Sequence, residues 1–291
     1  MKKIVTLILL MCVVLSLAAC TKAEITSQEI HDAGQVEAML QNHQSVYVQR
    51  AMDDAFFVER YLTKEYSYMQ YPDEENTFAQ FMTDSVSYAY MGGNYLRYLY
   101  ITPDGVTNDF ASDHAELRAI DLAADIVDET IESVSKKDGR IVVNSFLGEK
   151  ILEELAEEGA ISGKSEYVLD SKTKELISVI SDYVHEEGAI RLTTEITYDA
   201  EVPEMLEAFL KYENQTEELR NVTIVSNPGT EKEVSQDFRI PKGLVVGFTY
   251  GDDFEDKVAF YTDAACTESY DPYANTDSDL TVYVKWSESI N

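Results

Sequence analysis

Six short segments with a two-residue period follow one another between Ser45 and Thr102, and they constrain the fold more than any other feature. The segments are 45–52, 56–63, 66–70, 77–83, 86–91 and 95–102, and the period is that of a β-strand. Short runs rich in Asp, Pro, Gly and Asn join them. Because parallel neighbours need a long crossover, connections this short predict an antiparallel meander.

Neither face of this meander is plainly polar. Nine of the nineteen tyrosines lie between Tyr61 and Tyr100. A sheet with one wetted face alternates apolar and polar residues more cleanly. Two interpretations are open: helices cover one face while tyrosines decorate the other, or one face lines a cavity.

Helical spacing and further strands fill the rest of the chain up to residue 212. Ser27 is the predicted N-cap of a first helix within 21–44, and Pro203 begins the last helix. Predicted helices cover 112–129, 148–158 and 203–212, and predicted strands cover 130–135, 140–146, 165–169, 176–183 and 189–198. The polar stretch 214–220 is typical of a linker.

The N-terminus has the layout of an export signal. Lys2 and Lys3 precede an uncharged, mostly apolar run from Ile4 to Ala19, which is short for a membrane span and typical of a signal peptide. The run ends in Leu-Ala-Ala-Cys at residues 17–20, which resembles the lipobox of bacterial lipoproteins. The resemblance implies cleavage before Cys20, lipidation of Cys20 with palmitate-type chains, and anchoring at the outer face of the cell membrane. The alternatives are an ordinary signal peptide with a chance cysteine and an uncleaved spanning anchor.

Cysteine usage and charge restrict the function classes further. After loss of Cys12 with the signal and lipidation of Cys20, Cys266 is the one remaining cysteine, so no intrachain disulfide is expected. Removal of Lys2 and Lys3 takes the net charge from −31 to −33. Such a charge opposes binding to nucleic acid and to anionic headgroups.

The order of elements from 27 to about 212 resembles the LolA/LppX/LprG-like half-barrel superfamily. The phrase Thr-Glu-Ile-Thr-Tyr-Asp-Ala-Glu-Val-Pro at 194–203 is similar to the last strand of such lipoprotein domains. The resemblance implies a strongly curved sheet whose helices enclose a lipid or another hydrophobic molecule. It carries no motif from which individual binding residues could be transferred.

Residues 221–286 resemble a Listeria–Bacteroides repeat, the β-grasp-like module also called the internalin B repeat. The matching stretches are 238–243, 260–267 and 279–286. The sequence departs from the repeat in the middle, where Val258-Ala259-Phe260 stands in place of a Gly-Trp pair. The resemblance implies a spacer or a unit for contact with a surface protein partner.

No catalytic or metal-binding signature stands out. The four histidines, His31, His43, His114 and His185, are scattered along the chain and are interpreted as surface residues. The acidic stretches 251–256 and 271–279 could bind Ca²⁺ or could be polar turns, and neither has EF-hand spacing. We therefore predict no catalytic residue, no cofactor and no metal.

The predicted fold class is α+β: a strongly curved antiparallel meander sheet with helices on one face, plus a small β-grasp-like C-terminal module. The predicted domains are the signal 1–20, a LolA-like domain 21–213, a linker 214–220, the repeat 221–286 and a tail 287–291. The predicted function is non-enzymatic binding of a hydrophobic or amphipathic ligand in the cell envelope, with a cavity between sheet and helices. The alternatives are a structural or adhesive surface protein and a carboxylate-based envelope enzyme.

Overall fold

The computed structural model describes residues 25–53, 55–72, 77–124, 126–147, 160–185, 188–250, 257–274 and 276–287. The chain packs as two compact units that are interleaved along the sequence. Within the described residues, unit 1 takes in 25–39 and 121–194, and unit 2 takes in 40–120 and 195–287. The linear domain bounds drawn from the sequence stay a prediction.

Four α-helices, one 3₁₀ helix (Asp128–Thr130) and seventeen strands lie within the described residues. The helices are α1 (Ser27–Gly34), α2 (Val36–Asn42), α3 (Ala111–Arg118) and α4 (Glu204–Glu213). The strands of the meander are β1 (Val46–Met52), β2 (Ala55–Leu62), β3 (Ser67–Tyr71), β4 (Phe78–Met82), β5 (Ser87–Met91), β6 (Asn94–Thr102) and β7 (Gly105–Thr107). The middle strands are β8 (Ile131–Lys137), β9 (Arg140–Phe146), β10 (Ala160–Asp170), β11 (Leu176–His185) and β12 (Gly188–Tyr198). The last strands are β13 (Leu219–Ser226), β14 (Val234–Pro241), β15 (Val245–Thr249), β16 (Val258–Tyr261) and β17 (Leu280–Trp286).

The antiparallel meander of unit 2 confirms the six strands predicted between residues 45 and 102. Tyr61, Tyr68, Phe81 and Tyr88 are successive register partners across β2 to β5, so their rings share one face of the sheet. A parallel row on the opposite face contains Leu62, Ser67, Met82 and Ser87, and all four are buried. Both faces are therefore covered, which explains why neither face reads as polar in the sequence.

Different elements cover the two faces. α4 lies on the tyrosine face, where Phe209 packs on Tyr68 and Phe81. On the other face α3 contacts β3, and Phe110, just before α3, meets the ring of Tyr100 edge-on. The prediction that helices lie on one face alone is thus wrong.

The C-terminal strands complete unit 2 in two ways. β15 pairs in parallel with β6 at the edge of the meander. The other strands form a sheet in the order β14-β13-β17-β16, with a central parallel pair β13 and β17. Buried Val222, Ile224 and Val282 belong to the same core as the meander. Residues 219–286 are therefore packed into unit 2.

Unit 1 carries the strand order β12-β11-β10-β9-β8. α1 begins with a capping box in which Thr26, one residue before the predicted cap Ser27, is the N-cap. α1 contacts β11 and ends at Gly34, whose carbonyl oxygen accepts the Leu122 amide at 2.9 Å. A Cβ at Gly34 would come within 2.6 Å of the Ala123 Cβ, so this close approach requires glycine.

The predicted α+β class is wrong, because strands account for 52% and helices for 16% of the structure, and thirteen strands belong to one large, mainly antiparallel sheet. One reason for the lower helix content is that the helix predicted over 112–129 already ends at Arg118. Asp121 forms a bridge with Gln35, so pairing with the end of α1 replaces the helix that the apolar spacing of 120–127 suggested. The predicted helix at 148–158 lies outside the described residues.

Candidate functional site

The space between α4 and the tyrosine face of the meander is filled by aromatic side chains. Pro203 precedes α4, whose Leu206 and Phe209 are both fully buried. The Phe209 ring has its centroid 5.4–6.4 Å from those of four rings on the sheet, Tyr68, Phe81, Tyr88 and Tyr95. These are the distances of ordinary aromatic packing. A packed interface, and not a ligand cavity, lies beneath α4.

The phenol groups around this interface are engaged as hydrogen-bond donors. Tyr47 donates to the Glu59 carboxylate, and Tyr68 donates to the Gln70 side-chain oxygen. Tyr88 donates to Glu213 on α4 at 3.2 Å. Burial is the main cause that raises the pKa of each of these three tyrosines. The phenols therefore stay protonated, and none is prepared to act as a nucleophile or base.

An open groove of about 720 Å³ lies on another side of α4, within unit 2. Val202 and Leu210 supply apolar surface, and the remaining lining residues are polar or charged: Glu207, Lys211, Asn214, Gln215, Thr216 and Glu217. Asn214 Nδ2 donates to the Leu210 carbonyl oxygen at 2.8 Å, which ends the helix at the groove. A volume of this size falls within the range of small-molecule sites. The arrangement suits a ligand with an apolar part and a polar end.

The groove was not predicted from the sequence. The sequence predicted a helix over 203–212, but it did not distinguish Leu210, which is half-buried beside the groove, from the core residues Leu206 and Phe209. The polar run 214–220, which was interpreted as a linker, supplies four of the eight lining residues.

The one site residue predicted from the sequence, Cys20, lies outside the described residues. Cys266 is half-buried, has a φ of 54° and sits in the turn after β16. Its Sγ is 4.0 Å from the carbonyl oxygen of Ala264.

Three of the four histidines pair with single aspartates. The Nδ1 atoms of His31, His43 and His114 lie 3.0, 3.0 and 2.7 Å from Asp121, Asp199 and Asp84. The prediction of surface histidines is wrong for His114, which is 1% exposed. Each pair joins two segments that are distant in the sequence.

No cluster of three or more potential His, Cys, Asp or Glu ligands for a metal occurs in the described part of the chain. Asp271 and Asp279, from the acidic stretch 271–279, accept the backbone amides of Tyr273 and Asn221 at 2.9 and 2.8 Å. Hydrogen bonding to the Asn221 backbone is the largest cause that lowers the pKa of Asp279. The stretch 251–256 lies outside the described residues.

Within the residues that the structure describes, no helix combines the length and the apolar character needed to cross a membrane.

No family model matches the chain, and no curated protein matches it. Among solved structures, the lipoprotein LppX of Mycobacterium tuberculosis is 10% identical, with 60% of this chain and 97% of LppX covered and a TM-score of 0.35. A structure titled GphF dehydratase 1 is 9% identical, with 57% and 82% coverage and a TM-score of 0.19. At these scores neither likeness carries an argument about fold or function. Both resemblances noted in the sequence stay predictions.

Proposed function

We propose that the chain is a non-enzymatic lipoprotein of the cell envelope, anchored through Cys20, that binds an amphipathic, lipid-like ligand in the groove beside α4. The groove carries the proposal, because Val202 and Leu210 form an apolar strip within a polar rim. Burial of an acyl chain on such a strip contributes about 0.8 kcal/mol for each methylene removed from water. Lys211 and Glu207 offer charged partners to a polar head.

This placement differs from the one first expected. The LolA-like resemblance implied a ligand between sheet and helix, but Phe209 and its aromatic neighbours fill that space beneath α4. A ligand in the groove needs no displacement of buried aromatic rings. The proposed site is therefore on the surface of α4.

A structural or adhesive surface protein is the second candidate function, and a different observation favours it. Met52, Tyr71 and Met91 are 45%, 40% and 40% exposed. They lie at the ends of β1, β3 and β5, which point to the same end of the meander. Exposed apolar side chains grouped in this way are typical of protein contact surfaces.

The decisive experiment uses the mature chain from residue 20 with Cys20→Ser, which removes the thiol that carries the anchor. Native purification is followed by lipid extraction, mass spectrometry and titration with a fluorescent fatty acyl probe. We expect a co-purified lipid or saturable binding of the probe. Absence of both would reject the ligand-binding function and favour the contact surface.

A groove-filling variant ties any binding to the proposed place. Thr216→Trp puts an indole ring in the groove, and we expect it to weaken probe binding at least about tenfold, which corresponds to roughly 1.4 kcal/mol. The matched control is Thr197→Trp, at an exposed strand position away from the groove. Equal binding by both variants would place the ligand elsewhere.

A further inference from the structure

The strand β14 lies at the edge of the C-terminal sheet, whose strand order is β14-β13-β17-β16. It pairs with β13 over its full length of eight residues, from Val234 to Pro241. Within the described residues, its backbone pairs with no strand other than β13. An edge strand presents a row of unpaired N–H and C=O groups on its outer side, and a strand from another chain can pair with them.

The side chains of β14 alternate between an inward row and an exposed row. Phe238 belongs to the inward row, is half-buried and lies opposite the fully buried Val222 of β13. Asp237 and Arg239, on either side of Phe238, are exposed. The Thr223 hydroxyl donates to Asp237 Oδ1 at 2.6 Å, whereas Arg239 has no carboxylate partner in the part of the chain that the structure describes.

The centre of β14 is complementary to itself when two such edges run antiparallel. If Phe238 of one copy lies opposite Phe238 of the other, Asp237 of each copy lies opposite Arg239 of the other. Opposite charges placed directly across neighbouring antiparallel strands attract, and like charges in the same place repel. A twofold axis produces such reciprocal contacts, so the pairing closes as a dimer.

The charge of the whole chain makes this edge unusual. With a net charge of −31, most surfaces of two copies repel each other, but the centre of β14 carries one charge of each sign. The register of β14 with β13 is also unbroken. The edge strand β8 differs, since it has a bulge between Ile131 and Ser133 and ends in Lys136 and Lys137. Bulges and lysines are devices that prevent edge pairing.

We propose that β14 pairs antiparallel with β14 of a second copy of this chain and forms a symmetric dimer centred on Phe238. The pairing extends the C-terminal sheet from one copy into the other and covers the outer side of the Phe238 ring. The proposal is independent of ligand binding beside α4, because no residue of β14 lines the groove.

Sedimentation velocity of the mature Cys20→Ser chain tests whether the dimer forms. A reducing agent keeps Cys266 as a free thiol, and salt at about 0.15 M screens the general repulsion between two acidic chains. We expect a monomer–dimer equilibrium with a Kd of about 100 μM or tighter, in the range of a small transient interface. A chain that stays monomeric at concentrations well above this value would overturn the proposal.

Charge reversal locates the interface. Asp237→Arg and Arg239→Asp each replace two attractive contacts across the twofold axis by two repulsive ones, and we expect each to weaken the dimer at least about tenfold. The control is Glu195→Arg, which makes the same charge change at an exposed position on β12, a strand of the other sheet, and should dimerise as the parent does. A dimer that both β14 variants leave unchanged would refute the assignment.

Mixing the two β14 variants separates a lost interface from a misfolded chain. One variant then carries two positive charges beside Phe238 and the other carries two negative charges, so both contacts of a mixed dimer join opposite charges. We expect the mixture to form a heterodimer with about the affinity of the parent dimer. The double variant Asp237→Arg/Arg239→Asp should also dimerise, because it exchanges the two charges. Failure of both the mixture and the double variant to associate would overturn the proposal.

Discussion

Asp199 is a single residue that ties the end of β12 to the start of β1. Its carboxylate accepts the Gln44 amide at 2.7 Å and pairs with His43 Nδ1 at 3.0 Å. Its own amide donates to the Ser45 carbonyl oxygen at 3.0 Å. Its φ of 51° is a conformation that Asp and Asn tolerate better than most residues.

The pKa of Asp199 predicts a pH dependence of stability. It lies below the ordinary value of 3.8, first because of the hydrogen bond with His43 and then because of the Gln44 amide. A group whose pKa is depressed in the folded state stabilises the fold above its unfolded pKa, and this contribution is lost as the pH falls through the folded pKa. We therefore expect Asp199→Asn to lower the urea midpoint at pH 7 and to flatten its fall below about pH 4.

Asp138→Asn is the matched control, because Asp138 is also an exposed turn aspartate with a positive φ of 51°. Urea unfolding followed by circular dichroism between pH 2.5 and 7 makes the comparison. If the two variants follow the same curve, the hydrogen bonds of the Asp199 carboxylate do not contribute.

The burial of residues that contact distant parts of the chain could not be predicted from the sequence. Arg220 lies in the polar run interpreted as a linker and is 1% exposed. Its guanidinium donates to the carbonyl oxygens of Ser278 and Leu244 at 3.2 and 2.8 Å. Those partners are 58 and 24 residues away, and a pattern read over a short window contains no information about them.

Elements that depend on local periodicity were predictable. The six meander strands follow from a two-residue period and from turn residues such as Gly92 and Gly93, whose positive φ values of 57° and 79° suit the hairpin. The last helix was predicted within a residue of its bounds, 203–212 against Glu204–Glu213. The parallel pairing of β15 with β6 was not predictable, since it joins strands about 150 residues apart through partners such as Val246 and Arg97.

α4 stabilises unit 2 mainly through Phe209. The ring is fully buried among four aromatic neighbours, so its removal leaves a cavity that rigid rings fill poorly. We expect Phe209→Ala to lower the free energy of unfolding by about 3–5 kcal/mol. Tyr273→Ala, which removes a ring that is 52% exposed, should cost less than about 1 kcal/mol. Urea denaturation monitored by tyrosine fluorescence tests both, and a similar loss in the two variants would show that α4 does not anchor the core.

At the scale of the whole chain, the two packing units cut across the order of the sequence. Unit 2 unites the meander of residues 40–120 with the chain after Glu195. The Gln236 side chain forms hydrogen bonds with both the amide and the carbonyl of Val106, and Asn227 Nδ2 donates to the Pro103 carbonyl oxygen at 2.9 Å. These contacts make the early meander depend on strands made at the end of the chain.

This dependence predicts that damage to the last strands unfolds the early ones. Ile224 on β13 is 1% exposed and belongs to the shared core, whereas Ser235, on the paired strand β14, is exposed. A lysine at 224 would place a charge in an apolar interior without a partner, which costs several kcal/mol. We expect Ile224→Lys to increase hydrogen exchange in β3 to β6, and Ser235→Lys to leave that exchange unchanged. Protection of β3 to β6 that survives Ile224→Lys would mean that the meander folds without the C-terminal strands, and that residues 219–286 behave as a separate module.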